Sequence, residues 1–266
     1  MKIAILLTGQ LRTFELVKYI HMNNLISKYD ADVFLSIDVD NTLQCENKNS
    51  TTKTTDTQIE NAISFFNPTD WFVCDNFDYE FNNLTNKTNI DLNPHKILLQ
   101  QYFIVYNAYN LLVKHINKTN TEYDIIIRLR FDQFIWTDNT YIFDNLDMKN
   151  GNLIYNNKNI NASETYSTNG KIDFNEIINN NIYLFGFGKY LHYNYANDQF
   201  WYHNMTLINT MYNFYENMLL LLEYCSKNNI GNNGAMIECM FYTYLTQHNI
   251  NMTQTNVKGL FVREFL

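Results

Sequence analysis

Arg128-Leu129-Arg130-Phe131-Asp132 sets two guanidinium groups and a carboxylate at alternate positions, directly behind three isoleucines at 125–127. A strand that buries those isoleucines does not bury unpaired charge cheaply, because an ion in a low-dielectric interior loses its hydration. Two roles satisfy that constraint. At the carboxyl end of a parallel strand the three groups line the crevice where α/β sheets take their ligands. Arginine forks then suit phosphate, and the carboxylate suits Mg²⁺ or Mn²⁺ bridging a diphosphate. Alternatively, arginine and aspartate form an internal ion pair that pins the sheet. The two roles are compatible.

A second cluster, Thr8-Gly9-Gln10-Leu11-Arg12, follows the first apolar run. Gly9 permits close backbone approach, while Gln10 and Arg12 offer donors to a base, ribose or phosphate. It is neither a G-x-G-x-x-G fingerprint nor a P-loop. Asp38 and Asp40 close the next apolar run, where a carboxylate either meets a ribose hydroxyl or caps a turn. Asp198 stands just before an aromatic run and either orients an acceptor or closes a turn. Glu238 is a lone acid in the apolar segment GAMIECMFYTYL, which fits a general base for a hydroxyl or a side chain on the solvent face. Tyr183, Phe185, Trp201 and Tyr202 either stack on a sugar or fill the core. His203 and His248 lack a partner at metal-ligand spacing and read as ordinary histidines. The sequence has no nucleophile elbow, no H-E-x-x-H and no EF-hand loop.

These groups need a scaffold, and the hydrophobic periodicities supply one. KIAILLTG is a continuous apolar run, the pattern of a buried parallel strand. Residues 9–29 follow with helical spacing, and DADVFLSIDVD is a second strand, so the opening forty residues form a βαβ unit. Residues 41–58 read as a polar loop, followed by a helix from about Thr57 to Phe66 and a strand at DWFVCDN. A polar stretch at 82–93 leads to Pro94, placed where a helix accepts proline, and to one long helix. The strand ending in Asp132 is central, and residues 138–180 hold weak strands such as NLIYNN. A strand at NIYLFG, one helix over TLINTMYNFYENMLLLLEYCSKNN, a last helix around Glu238 and a short tail, NVKGLFVREFL, complete the chain. No repeat or linker divides it, so the expectation is one α/β domain with a mostly parallel sheet flanked by helices.

Composition narrows the ligand classes. With 46% hydrophobic and 16% aromatic residues, 266 residues can bury a substantial core. The formal net charge of −8 disfavours nucleic acid and anionic membrane surfaces, so a phosphate-bearing ligand needs local cations or a metal. Cys45, Cys74, Cys225 and Cys239 show no C-x-x-C spacing and read as reduced thiols. The opening apolar run is too short for a transmembrane segment and lacks a small-residue cleavage site, so the expected location is cytoplasmic. Matches to N-x-S/T follow from an excess of asparagine and carry no weight.

Taken in order, GQLRTFE, DVFLSID, QQYFIVYNAYNLL, YDIIIRLRFD, NDQFWYHN, IECMFYTYLTQHNI and VRE resemble GT-A glycosyltransferases of large DNA viruses, bacteria and some eukaryotic microbes. The resemblance spans almost the whole chain. It implies a GT-A, Rossmann-like fold with a nucleotide-binding half (1–135) and an acceptor-binding half (136–266). It also implies a nucleotide-diphosphate sugar as donor, UDP-sugar favoured, a glycan or glycoprotein acceptor, and a host cytoplasm or virion location. Such enzymes hold Mn²⁺ or Mg²⁺ on an Asp-x-Asp-type motif. Here the matching residues are Arg130, Phe131 and Asp132, so only Asp132 carries over as a metal ligand, and Arg130 supplies part of the charge a metal would. Gly9, Gln10, Arg12, Asp38, Arg128 and Arg130 fall where the nucleotide is contacted. Glu238 matches the acidic position that begins a late helix in inverting members, which implies a catalytic base, with Cys239 in place of its usual acidic neighbour, and Asp198 is the second candidate base. The competing expectation is a catalytically silent domain of the same fold that binds a nucleotide or glycan. A nucleotidyltransferase would need a glycine-rich first loop, which Thr8–Arg12 lacks.

Overall fold

The computed structural model describes residues 1–39, 54–136, 146–149, 152–155, 158–166, 177–190, 193–230, 236–255 and 258–265. Asp40 and Cys45 lie outside the described residues. β1 (Ile3–Gly9) is fully buried through Thr8 and leads into α1 (Phe14–His21). A π-helical turn (Met22–Ile26) carries that helix into α2 (Ser27–Tyr29). β2 (Asp32–Asp38) pairs parallel with β1, giving the expected βαβ unit. α3 (Asp56–Phe66) starts at a capping box in which Thr55 and Gln58 each satisfy the other's backbone N–H. β3 (Asp70–Cys74) then pairs parallel with β2.

α4 (Asp78–Thr85) forms where the sequence reads as mostly polar, because Phe81 and Leu84 alone anchor it to the core. The long helix α5 (Lys96–Thr119) follows Pro94, as expected, and returns the chain across the sheet. β4 (Ile125–Arg130) pairs parallel with β1 on the side opposite β2. A turn at 131–132 gives β5 (Gln133–Trp136), then β6 (Leu146–Lys149), β7 (Asn152–Tyr155), β8 (Lys158–Tyr166), β9 (Asn181–Leu184), β10 (Phe187–Tyr190), β11 (Tyr193–Ala196) and β12 (Trp201–His203). The helix expected from Thr206 onward divides into α6 (Ile208–Asn213) and α7 (Met218–Lys227), joined by a 3₁₀ turn. There the Asn217 amide donates to the Asn213 carbonyl at 2.8 Å, a side chain competing for a helix acceptor. α8 (Met236–Gln247) and β13 (Asn251–Gln254) precede β14 (Lys258–Phe265), so the short tail contains a strand paired with β5 and β8.

The main sheet runs β13-β9-β12-β4-β1-β2-β3, parallel throughout except for β12, which is antiparallel to both of its neighbours. It is the expected mixed, mostly parallel, Rossmann-like sheet with helices on both faces. β5, β14, β8, β7 and β6 form a second, antiparallel sheet. Strand parity sorts the faces of the main sheet. Ala4, Leu6, Phe34 and Ile126 pack under α5, whereas Ile5, Leu7, Leu35 and Ile127 pack with α1 and α3. Strand order reverses between β1 and β4, the kind of position at whose carboxyl ends α/β sheets take their ligands.

Asparagine also has a structural use here. Among the described residues, those at positive φ other than glycine are Asp30, Asn67, Asn120, Asn180, Asn229 and Asn249. Asn67 closes α3 and Asn120 closes α5 in the left-handed conformation that glycine usually supplies.

Candidate functional site

On the α5 face, alternation brings Thr8, Ser36, Asp38, Arg128 and Arg130 to the carboxyl ends of β1, β2 and β4. The aminoterminal turns of α5 lie over the same ends and add Gln100, Gln101 and Tyr102. Asp38 is almost fully enclosed and accepts from the Gln100 Nε2 at 2.9 Å and from the Gln10 Nε2 at 3.3 Å. Arg12 Nε in turn donates to Gln10 Oε1. A chain of polar contacts therefore runs from α5 through Asp38 to the loop after β1. Gly9 opens that loop at φ 110°, a backbone conformation any side chain would strain.

Arg128 is 2% exposed, with its guanidinium 4.7 Å from the centre of the Trp201 ring. It donates through Nε to Thr8 Oγ1 at 3.0 Å and through a terminal nitrogen to the Asp198 carbonyl. Burial lowers its pKa to about 10, which leaves it charged at neutral pH. In this position it fastens β4 to β1 and to the chain before β12.

Arg130, one strand turn further out, faces Asp132 across the turn. Its Nε and Nη2 each donate to one carboxylate oxygen at 2.8 Å, a fork-to-fork ion pair. The structure thus contains the ion pair that the sequence offered as one of two roles. The fit of a divalent cation to Asp132 is poor, because both oxygens already hold a guanidinium whose charge repels the ion. Among the described residues no group of three His, Cys, Asp or Glu converges to hold a metal.

Asp198 is buried at 2% exposure and accepts through Oδ2 from Gln101 Nε2 at 3.0 Å and Tyr102 Oη at 3.2 Å. Burial pushes its carboxyl upward, while the Arg128 and Arg130 charges pull it back. Glu238, in the first turn of α8, is close enough to feel that charge. Burial first and Asp198 second push the Glu238 carboxyl up to about 7. Its Oε2 is buried with no hydrogen-bond partner among the described residues. An acid of that kind exchanges a proton near neutral pH.

All nine sequence candidates (Gly9, Gln10, Arg12, Asp38, Arg128, Arg130, Asp132, Asp198 and Glu238) fall in or around this one network. Of the aromatic candidates, Trp201 touches it through the Arg128 guanidinium, whereas Tyr183, Phe185 and Tyr202 are buried in the core, with Tyr183 stacked on Tyr202. His203 is a core residue bonded to Tyr109 Oη at 2.7 Å. Sequence reasoning missed Gln100, Gln101 and Tyr102 as site residues. Their signal was a pair of glutamines at the start of an otherwise apolar helix face. It also missed His21, which sits beneath the turn with Nε2 2.6 Å from the Gln133 carbonyl. Burial keeps that imidazole neutral by lowering its pKa to about 4.

Cys74, Cys225 and Cys239 are buried. Among the described residues no helix is long and apolar enough to cross a membrane.

No curated protein matches the chain by sequence. Among solved structures, the nucleoside-diphosphate-sugar pyrophosphorylase of Vibrio cholerae RC9 is similar over 97% of this chain and 94% of its own. Identity is 10% and the TM-score 0.33, a distant likeness in the course of the chain on which no functional argument rests. Residues 1–155 match a single family, and this stretch carries β1 through β4 with most of the polar network. The chain therefore belongs to the family described as domain of unknown function DUF7796.

Proposed function

We propose that this chain is a glycosyltransferase, moving a sugar from a nucleotide-diphosphate sugar, UDP-sugar favoured, to a hydroxyl of a glycan or glycoprotein acceptor. The observation that carries the reading is the Glu238 carboxylate oxygen, buried without a hydrogen-bond partner among the described residues and close to Asp198 beside β4. A nucleoside diphosphate lying across the ends of β1, β2 and β4 meets Gln10, Arg12, Asp38 and Arg130. Glu238 accepts the proton of the acceptor hydroxyl. The hydroxyl oxygen bonds the anomeric carbon, and the carbon–oxygen bond to the diphosphate breaks, its electron pair leaving with the phosphate. Asp198, held by Gln101, Tyr102 and the Arg128 contact at its carbonyl, keeps Glu238 basic enough for that transfer. A divalent cation, which the resemblance implies for Asp132, would neutralise the leaving diphosphate. Because the carboxylate is already paired with Arg130, no step here is routed through it.

A thermal-shift panel of UDP-, GDP-, dTDP- and CMP-sugars tests donor binding. A ligand at one hundred times its dissociation constant stabilises by about 2.7 kcal/mol. Glu238→Gln should bind that donor unchanged and lose about a hundredfold or more of the nucleoside-diphosphate release measured with wild type. Wild-type release should decline as pH falls below about 7, where Glu238 gains its proton. The same shift fixes a stability sign. The folded carboxyl holds its proton up to about 7 against the ordinary 4.5, so Glu238 costs stability as pH rises through that window. Glu238→Gln should match wild type at pH 4 and be the more stable at pH 8. A panel in which no nucleotide sugar stabilises the protein sinks the assignment.

The second reading, a silent nucleotide- or glycan-binding domain, is favoured by the closed Arg130–Asp132 pair. It predicts a donor shift with no release, and no difference between wild type and Glu238→Gln.

A further inference from the structure

We propose that Arg130, rather than a divalent cation, receives the diphosphate of the ligand, with Asp132 as the positioning residue that aims its guanidinium into the crevice. The inference rests on the reading that a nucleoside diphosphate binds at this edge of the sheet.

Asp132 has two oxygens, and each accepts one nitrogen of the same guanidinium at 2.8 Å. Its side chain is 4% exposed and that of Arg130 is 20% exposed, so the arginine faces the opening and the carboxylate lies behind it. An arriving anion meets the cation first. Carboxylate and phosphate present oxygens to a planar guanidinium fork in the same way, so a phosphate can take a terminal nitrogen while Nε stays on Asp132. A metal ion reaching Asp132 would instead sit beside that guanidinium and be repelled by it.

Arg128 does not compete for the role. Two of its three nitrogens, Nε and Nη1, are committed to Thr8 and to the Asp198 carbonyl, its ring-facing side lies against Trp201, and the residue is almost fully buried. One arginine builds the wall and the next meets the ligand. The sequence could not separate them, since they alternate on one strand face.

The test is calorimetric titration with UDP, GDP, dTDP and inorganic pyrophosphate, each in EDTA and in Mn²⁺, on wild type, Arg130→Gln, Arg130→Lys and Asp132→Asn. The expected result is equal wild-type affinity in both buffers for at least one nucleoside diphosphate. Arg130→Gln should weaken it about tenfold or more, and Arg130→Lys should restore only part, because an ammonium lacks the fork. Asp132→Asn should weaken binding less than Arg130→Gln, equally in both buffers. Wild-type binding that needs Mn²⁺ and disappears in Asp132→Asn overturns this inference and leaves the nucleotide reading standing. Absence of binding by every probe in both buffers overturns the two together. The comparison of buffers uses wild type alone, so a variant that fails to fold does not block the decision.

Discussion

The two ends of the main sheet both carry charge, and they treat it differently. At the amino end, Lys2 reaches Asp32 at 3.0 Å, Tyr123 Oη donates to the same carboxylate, and the Lys2 backbone N–H donates to Asp124. The side chains of Lys2 and Asp32 are 48% and 26% exposed, so water competes for every contact. At the carboxyl end, Asp38, Arg128, Asp132 and Asp198 are each at most 3% exposed. Charge at the amino end merely tolerates solvent, while charge at the carboxyl end has been taken out of water and held by named partners. Burying ions stabilises a fold poorly compared with apolar packing of the same volume. A protein that concentrates them at one edge, where its strand order reverses, has a use for that edge.

Three substitutions test that contrast, in falling order of effect. Arg128→Met removes a buried cation while keeping apolar bulk against Trp201. It leaves the Asp198 carbonyl and Thr8 without their donor, and should cost about 3 kcal/mol in urea unfolding. A loss under 1 kcal/mol would mean that the buried guanidinium is not the fastening described here. Asp38→Asn keeps the shape but sets an amide against the Gln10 and Gln100 amides. A loss of about 1–3 kcal/mol is expected, together with weaker nucleoside-diphosphate binding. Unchanged binding would remove Asp38 from the site and leave it a structural acid. Lys2→Ala should cost under about 1 kcal/mol, and less still in high salt, as exposed pairs do. A loss as large as that of Arg128→Met would erase the distinction between the two ends.

Much of this arrangement was legible in the chain. Apolar runs at Ile3–Gly9 and Asp32–Asp38 with a helical period between them dictated a parallel pair, because only a crossover returns the chain to the same sheet edge. The run of isoleucines ending in Arg128, Arg130 and Asp132 marked a central strand with polar work at its end. The reading failed where periodicity was weak or misleading. α4 lies in a polar stretch whose two apolar anchors are too few to show a period. β14 lacks a turn signal to mark it off, and its pairing with β5 and β8 joins residues more than ninety apart.

Local period and composition already carry the fold class, the carboxyl-edge candidates and the surplus of charged groups on strands that should be apolar. Which charge does what depends on the folded arrangement. Arg128 turns inward to Thr8 and Asp198, Arg130 closes on Asp132, and Glu238 is poised near neutral by its own burial and then by the Asp198 charge. The physical reason is that dielectric environment and partnership belong to position in space. They join α5, β1, β4, β12 and α8, which no local pattern in the chain relates.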